Sequence, residues 1–185
     1  MKKIIKLSCL LFVSLAIFSC SEDDDQESFS NSITYDGSVF SVEDAYLYDF
    51  GSSEGYFVRG FSLEGTLSED MEIEFSGIFA SKGEESFTPG TFKFVNLDEE
   101  GDIENYPDML YGEAYIFTGE SELKVVAGDI VISKSGDGYS YAISGVLTLE
   151  NDEVVTISYD GVFEFYGASE SITKTTIKSS KIFKK

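Results

Sequence analysis

The sequence predicts an all-β domain, a single antiparallel meander that closes as a barrel or packs as a two-sheet sandwich. Three observations carry that reading. Apolar residues recur with a period of two over most of the chain, Gly and Asp cluster at short intervals between those runs, and no stretch after residue 30 holds a helical period.

The elements follow in chain order. Asp36-Gly37 has the composition of a two-residue hairpin turn, where both positions need positive φ. Gly51 to Gly55, Ser81 to Glu85 and Ser135 to Gly138 are further turn candidates. Met71, Ile73, Phe75, Gly77 and Phe79 alternate with Glu72, Glu74 and Ser76, which gives a strand with one apolar and one wet face. In the segment Leu123 to Ser133 the apolar phase switches: Leu123, Val125 and Ala127 hold one register, Ile130 and Ile132 the other. The switch runs through Gly128-Asp129 and predicts a β-bulge at that glycine. From Tyr139 to Leu149 the odd positions are apolar. Asn151-Asp152-Glu153 then turns the chain into Val155, Ile157, Tyr159, Gly161, Phe163 and Phe165, completing a long hairpin. About ten strands result by this criterion. Because hairpin follows hairpin, a barrel-like, lipocalin-style closure is favoured, although alternation alone serves a sandwich equally well.

The first thirty residues have a different character. Lys2, Lys3 and Lys6 precede an apolar run from Leu7 to Phe18 that ends at Ser19 and Cys20, the layout of a secretory signal too short to span a bilayer. Ile17-Phe18-Ser19-Cys20 resembles the lipobox of bacterial lipoproteins. That resemblance implies cleavage before Cys20, which would then carry diacylglycerol and an N-acyl chain of the palmitate type. Several acyl chains hold a protein on a membrane far better than one. The acidic run Ser21-Glu22-Asp23-Asp24-Asp25-Gln26-Glu27 is too densely charged to fold and reads as a solvated tether. It also resembles the export signal of Bacteroidota surface lipoproteins, which implies an outer-membrane anchor facing the cell exterior. The segments TYDGSVF, TPGTFKF, GDIVISKSGDGYSYAISG and VTISYDGVF together resemble the small all-β surface lipoproteins of the same phylum. Fold and address are implied by that likeness, and no activity is. The expected organisation is a signal peptide over 1–19, a lipidated acidic tether over 20–30, the all-β domain over 31–168 and a basic tail over 169–185.

Charge and composition exclude several functions. The chain has 34 acidic residues against 13 basic ones, a formal net charge of −21. Five of the basic ones, Lys174, Lys178, Lys181, Lys184 and Lys185, sit in the tail. Such a field repels phosphate backbones, so nucleic acid is not an expected partner. With no histidine, imidazole general-base chemistry, Ser-His or Cys-His nucleophiles and His metal sites are unavailable. Cys9 and Cys20 both precede the predicted domain, which therefore lacks a disulfide, a thiol nucleophile and a Cys metal site. A non-enzymatic role is the expectation, with no cofactor besides the covalent lipid.

Among candidate site residues, Arg59 is the only arginine and sits in Phe57-Val58-Arg59-Gly60-Phe61, where alternation puts it on the core face. It either meets a ligand at a cavity floor, or forms a strand-end ion pair, or swings to solvent through a bulge at Gly60. Tyr46, Tyr48 and Tyr56, with Tyr111 and Tyr115, are candidates for stacking on sugar rings. The irregular segment from Leu97 to Leu110 carries Asp98, Glu99, Glu100, Asp102, Glu104 and Asp108. Of these, Asp98, Glu100, Asp102 and Glu104 are the candidate oxygen ligands for Ca²⁺, without EF-hand spacing. Two functions remain: a surface binding module for a glycan or other small ligand, and a structural or protein-interaction subunit of an outer-membrane assembly. The first needs a cavity or aromatic platform; the second needs a flat apolar patch or an exposed strand edge.

Overall fold

Alternation and short turns produce ten strands in the computed structural model, which describes residues 30–68, 71–97, 106–119 and 121–167. They are β1 (Ser32–Tyr35), β2 (Ser38–Ser53), β3 (Tyr56–Ser68), β4 (Met71–Lys82), β5 (Gly90–Phe94), β6 (Met109–Thr118), β7 (Ser121–Lys134), β8 (Ser140–Leu149), β9 (Val154–Val162) and β10 (Glu164–Tyr166). No helix occurs among the described residues. The sheet order is β1-β9-β8-β7-β5-β6-β4-β3-β2, and β1 also pairs with β2, so nine strands close a barrel. Of the two predicted architectures, the barrel is the one adopted.

Two short strands make the closure. β1 lies between β9 and β2, antiparallel to both, with Ile33 opposite Ile157 and Phe40. Beyond the end of β1, the chain leaving β9 passes Phe163 and becomes β10, which runs parallel to β2 with Phe165 opposite Leu47. The second seam has the same design. β6 and β7 pair directly from Tyr115–Thr118 to Ser121–Lys124, then splay, and β5 fills the gap. All the pairings of the ring lie within residues 30–167, so a chain starting at Ser21 retains every one of them.

The hairpin turn at Asp36-Gly37 forms as the sequence predicts, with φ of 46° and 73°. The Gly51–Gly55 turn is shorter than expected. β2 continues through Gly51, which sits at a bulge opposite the Arg59-Val58 step, and the chain reverses at Glu54-Gly55. The irregular segment also ends sooner, since Met109 and Leu110 already belong to β6. The phase switch in β7 falls at Val126, between the pairs Val125–Leu149 and Ala127–Thr148, two residues ahead of the predicted glycine. Gly128 has a different duty. Its φ is 114°, and a Cβ there would lie 2.4 Å from the Val146 carbonyl oxygen.

Inward side chains fill the barrel. Phe61 meets Phe79, Tyr141 and Phe163 edge-on, and Phe79 meets Phe92 in the same way. Ring edges against ring faces suit the aromatic quadrupole and let large residues interlock. Leu63, Phe75, Ile116, Ile130, Ile143 and Leu147 complete the packing at 0% exposure. Each such side chain contributes about 1.5–3 kcal/mol by leaving water. A second, smaller cluster lies on the outer wall, where Tyr56, Val58, Ile78, Ala80 and Leu110 are covered by Phe50, Val95 and Tyr106. The connection after β5 therefore acts as a cover for the outside of β3, β4 and β6.

The outward rows differ around the circumference. Across β2, β3, β4 and β6, one row reads Asp44, Glu64, Glu74, Phe117 and the next Tyr46, Ser62, Ser76, Tyr115. On the opposite side a row reads Ser41, Ser32, Ser158, Ser144, Val131, Thr91, and its neighbour Val39, Thr34, Thr156, Val146, Asp129, Lys93. The last two residues of that row pair with each other. An apolar inside and an acidic outside invert the pattern of a membrane-spanning barrel, whose outer surface is an apolar band.

Gly128→Ala is expected to destabilise the barrel by about 3 kcal/mol, combining backbone strain with a clash against the β8 backbone. Urea unfolding followed by near-ultraviolet circular dichroism measures it. A loss below about 1 kcal/mol would mean that β7 and β8 do not approach this closely.

Candidate functional site

Arg59 projects inward from β3, as alternation predicts, at the end of the barrel where β4 passes into β5. Its directly opposite neighbour on β2 is Asp49. Nη2 donates to Asp49 Oδ2 at 3.2 Å, and Nη1 donates to the Tyr141 hydroxyl of β8 at 2.7 Å, reaching across the barrel interior. The guanidinium also lies 5.7 Å from the Phe57 ring centre and 5.5 Å from that of Phe87. Phe87 belongs to the β4–β5 connection and stacks on Phe92 with an interplanar angle of 5°. The same connection is fastened where the Thr88 backbone N–H donates to Ser81 Oγ at 2.9 Å. Of the three outcomes the sequence allowed, the ion pair is the one formed, with side chains 14% and 20% exposed. Arg59 closes this end of the barrel; Tyr141 and Phe87, its partners from distant parts of the chain, carry no local sequence signal.

The tyrosine candidates separate. Tyr111 is wholly buried inside, its hydroxyl donating to the Gly128 carbonyl at 2.7 Å, and burial holds its pKa far above the ordinary value. Tyr56 joins the outer apolar cluster and donates to the Pro107 carbonyl at 3.2 Å. Tyr46 and Tyr48 stand together on the outer wall. Tyr166 of β10 stacks on Tyr48 with ring centres 5.5 Å apart, and its centre lies 6.1 Å from that of Tyr46. Thus Arg59 is on the opposite face of the sheet from the Tyr46–Tyr48 pair, and Tyr56, although outward, is part of the separate apolar cluster under the connection after β5. Asp98, Glu100, Asp102 and Glu104 lie outside the described residues. Asp108, from the same segment, pairs with Lys82 at 2.9 Å on the surface.

Opposite the Tyr46–Tyr48–Tyr166 group, across β3 and β4, Tyr115 and Phe117 form a second aromatic wall with ring centres 6.2 Å apart. Three interstrand steps separate Tyr46 from Tyr115, about 14 Å along the sheet. The floor between them is small: Ser62 and Ser76 in one row, with Gly60 beneath Tyr48. Ser62 is 3% exposed and donates to Glu74 Oε1 at 2.8 Å, which fixes that carboxylate over the floor. Asp44, Glu64, Glu74 and Phe117 continue into a cleft of about 840 Å³ that wraps the barrel rim and is also lined by Phe40, Ile73 and Thr118.

Electrostatics tie these groups into one site. Burial pushes the Tyr48 phenol up to about 12, with Glu74, Tyr166 and Glu64 adding to the effect. Tyr46 is raised by burial and then by Glu64, Asp44 and Glu164. The Glu64 carboxyl is held above its usual 4.5, first by burial and then by the charges of Glu74, Asp44 and Glu72. Beyond burial, the same carboxylates, Glu64 among them, act on both phenols, which places these groups in a common field. The arrangement supplies hydrogen-bond acceptors beside aromatic faces, on a floor low enough to admit a ring. Sequence reasoning named Tyr46, Tyr48 and Tyr115 but missed Phe117, Tyr166, Glu64 and Glu74. Alternation marked Glu74 as outward; the strand order that sets it beside Glu64 is not visible in it.

No family model, curated protein or solved structure matches this chain.

Replacing Arg59 by Met should cost about 2 kcal/mol, because it leaves Asp49 and Tyr141 without their partner in a poorly hydrated place. Asp49→Asn in the same background should cost markedly less than it does alone. Urea denaturation of the four species of the cycle checks this, and additive losses would show that the pair is not coupled. For Glu64, folding raises the pKa, so the folded chain holds this proton more tightly than the unfolded one. Its carboxylate therefore costs stability above the raised value, and the cost disappears as pH falls through it towards 4.5. Glu64→Gln is expected to raise the melting temperature by about 1–2 °C at pH 7, with the gap to the parent closing as the pH falls towards 4.5. A gap that stays constant with pH would count against the shift.

Proposed function

We propose that this chain is a lipid-anchored, non-enzymatic binding module of the bacterial outer surface, and that its ligand is an uncharged glycan. Cys20 is the anchor, and Glu22 to Glu27 form the tether that carries the barrel clear of the membrane. The reading rests on the outward face of β2, β3, β4 and β6. There Glu64 and Glu74 stand between Asp44 on the tyrosine-bearing β2 and Phe117 on β6, in the row beside Tyr46, Ser62, Ser76 and Tyr115.

Sugar rings present apolar C–H faces that stack on aromatic side chains, and hydroxyls that donate to carboxylates. Each carboxylate has two acceptor oxygens, so a pair such as Glu64 and Glu74 suits adjacent hydroxyls. The acids also set specificity, because a polymer of uronic acids or sulfated sugars would place like charges against them. The interior contributes no ligand contacts in this reading, since Phe61, Phe79, Phe92 and their neighbours occupy it.

Isothermal titration of the chain from Ser21 onward with neutral oligosaccharides from bacterial and plant walls tests this directly. At least one should bind, and Tyr46→Ala or Glu74→Gln should weaken it by about tenfold or more, the loss of one good stacking or charge-assisted contact. Uronic-acid oligomers should not bind. If acidic glycans bind better than neutral ones, or if both variants bind unchanged, the site has been misplaced.

A further inference from the structure

The side of the barrel opposite the proposed glycan site has been cleared of charge, although the chain carries 34 acidic residues. Two adjacent outward rows cross β2, β1, β9, β8, β7 and β5, and their only charges are Asp129 and Lys93, which neutralise each other. The remaining positions are Ser, Thr and Val. The valines are well exposed, Val39 at 55%, Val131 at 42% and Val146 at 60%. Val154, on the next row, is 53% exposed. Soluble proteins usually place Lys or Glu at such strand positions to keep sheets from meeting. Here that protection is absent over these two rows and over Val154, Thr148 and Ala127 of a third.

The electrostatics select the partner. A basic protein would be drawn to the acidic faces and gains nothing from a surface without charge. A partner of the same sign can approach this molecule where charge is lacking, and another copy of the chain carries both the same net charge and the same cleared face. We infer that two copies associate through this face, around a two-fold axis near Val146 and Thr156, with each copy's glycan site on the far side. Five interstrand steps by two row spacings give a patch of roughly 24 Å by 13 Å. That is a few hundred Å², well under the roughly 800 Å² per partner of a standard stable interface, so the dimer is weak. Confinement to a membrane surface would raise its population, and pairing would present two glycan sites together.

Sedimentation velocity of the chain from Ser21 onward is the test, from about 10 µM to about 500 µM, the range in which mass action populates a weak dimer. The sedimentation coefficient should rise with concentration. The rise should grow when salt increases from about 0.02 M to about 0.5 M, because screening removes the repulsion between two acidic copies. Val146→Glu should weaken association by at least about tenfold, since the two-fold axis brings two new charges together. Val162→Glu, at an exposed valine beyond these rows, should leave association unchanged while controlling for added charge. A monomer at all concentrations and salts overturns the inference. So does a dimer that Val146→Glu leaves intact, one that Val162→Glu weakens equally, or one that salt dissociates.

Discussion

Closure of the sheet is the constraint on which everything else in this molecule depends. It rests on β1, four residues from Ser32 to Tyr35, paired on both sides. Without that strand, β2 and β9 would meet only through β10, and half of the seam would present unpaired N–H and C=O groups to any passing chain. With it, the inward positions of the ring face a common interior, and the outward ones face water except where the connection after β5 covers β3, β4 and β6. The interior is then a matter of volume, and phenylalanine rings set edge to face fill it. Because no disulfide is available to the barrel, this packing and the ladder hydrogen bonds carry its stability.

A filled interior moves chemistry to the outside. The two ends of the barrel illustrate the contrast. At one, Arg59 is held by Asp49 and Tyr141, each guanidinium nitrogen donating to one of them, with the Phe57 and Phe87 rings against it. At the other, the rim cleft runs out past Glu64 and Glu74 to the wall between two aromatic groups. Burial and then the charges of Glu74, Asp44 and Glu72 raise the proton affinity of Glu64 there, a cost that folding alone gives no reason to accept. On the opposite wall the same alternation yields Ser, Thr and Val. One barrel thus carries an acidic face flanked by aromatic rings and a face of Ser, Thr and Val, fixed by which residues occupy the outward phase of each strand.

The sequence made the strands legible because period-two alternation is a local property. Tyr139 to Leu149 and Val155 to Gly161 could be assigned without knowing any neighbour, and so could the Asp36-Gly37 turn, whereas Phe165, expected to continue the same hairpin, leaves it in β10 to pair with β2. Bulge positions were less accessible. The β7 bulge lies at Val126 because Val125 and Ala127 pair with consecutive residues of β8, whereas Gly128 marks where the β8 backbone comes closest. Neighbours distant in the chain were not legible at all. Nothing near Arg59 points to Tyr141, and nothing near Tyr48 points to Tyr166, since both contacts come from the closing of the ring. The insertion of β5 between β6 and β7 was equally hidden, being a departure from the meander that short turns suggest.

The central claim is that recognition takes place on the outer wall of β2, β3, β4 and β6, and the most direct measurement is amide and aromatic chemical-shift mapping. An isotopically labelled chain from Ser21 onward would be titrated with a neutral oligosaccharide. The account predicts shifts centred on Tyr46, Tyr48, Ser62, Ser76, Tyr115 and Phe117, with Phe61, Phe79 and Tyr141 inside the barrel unmoved. Shifts centred on the interior, on the Arg59 end or on the Val146 face would contradict it.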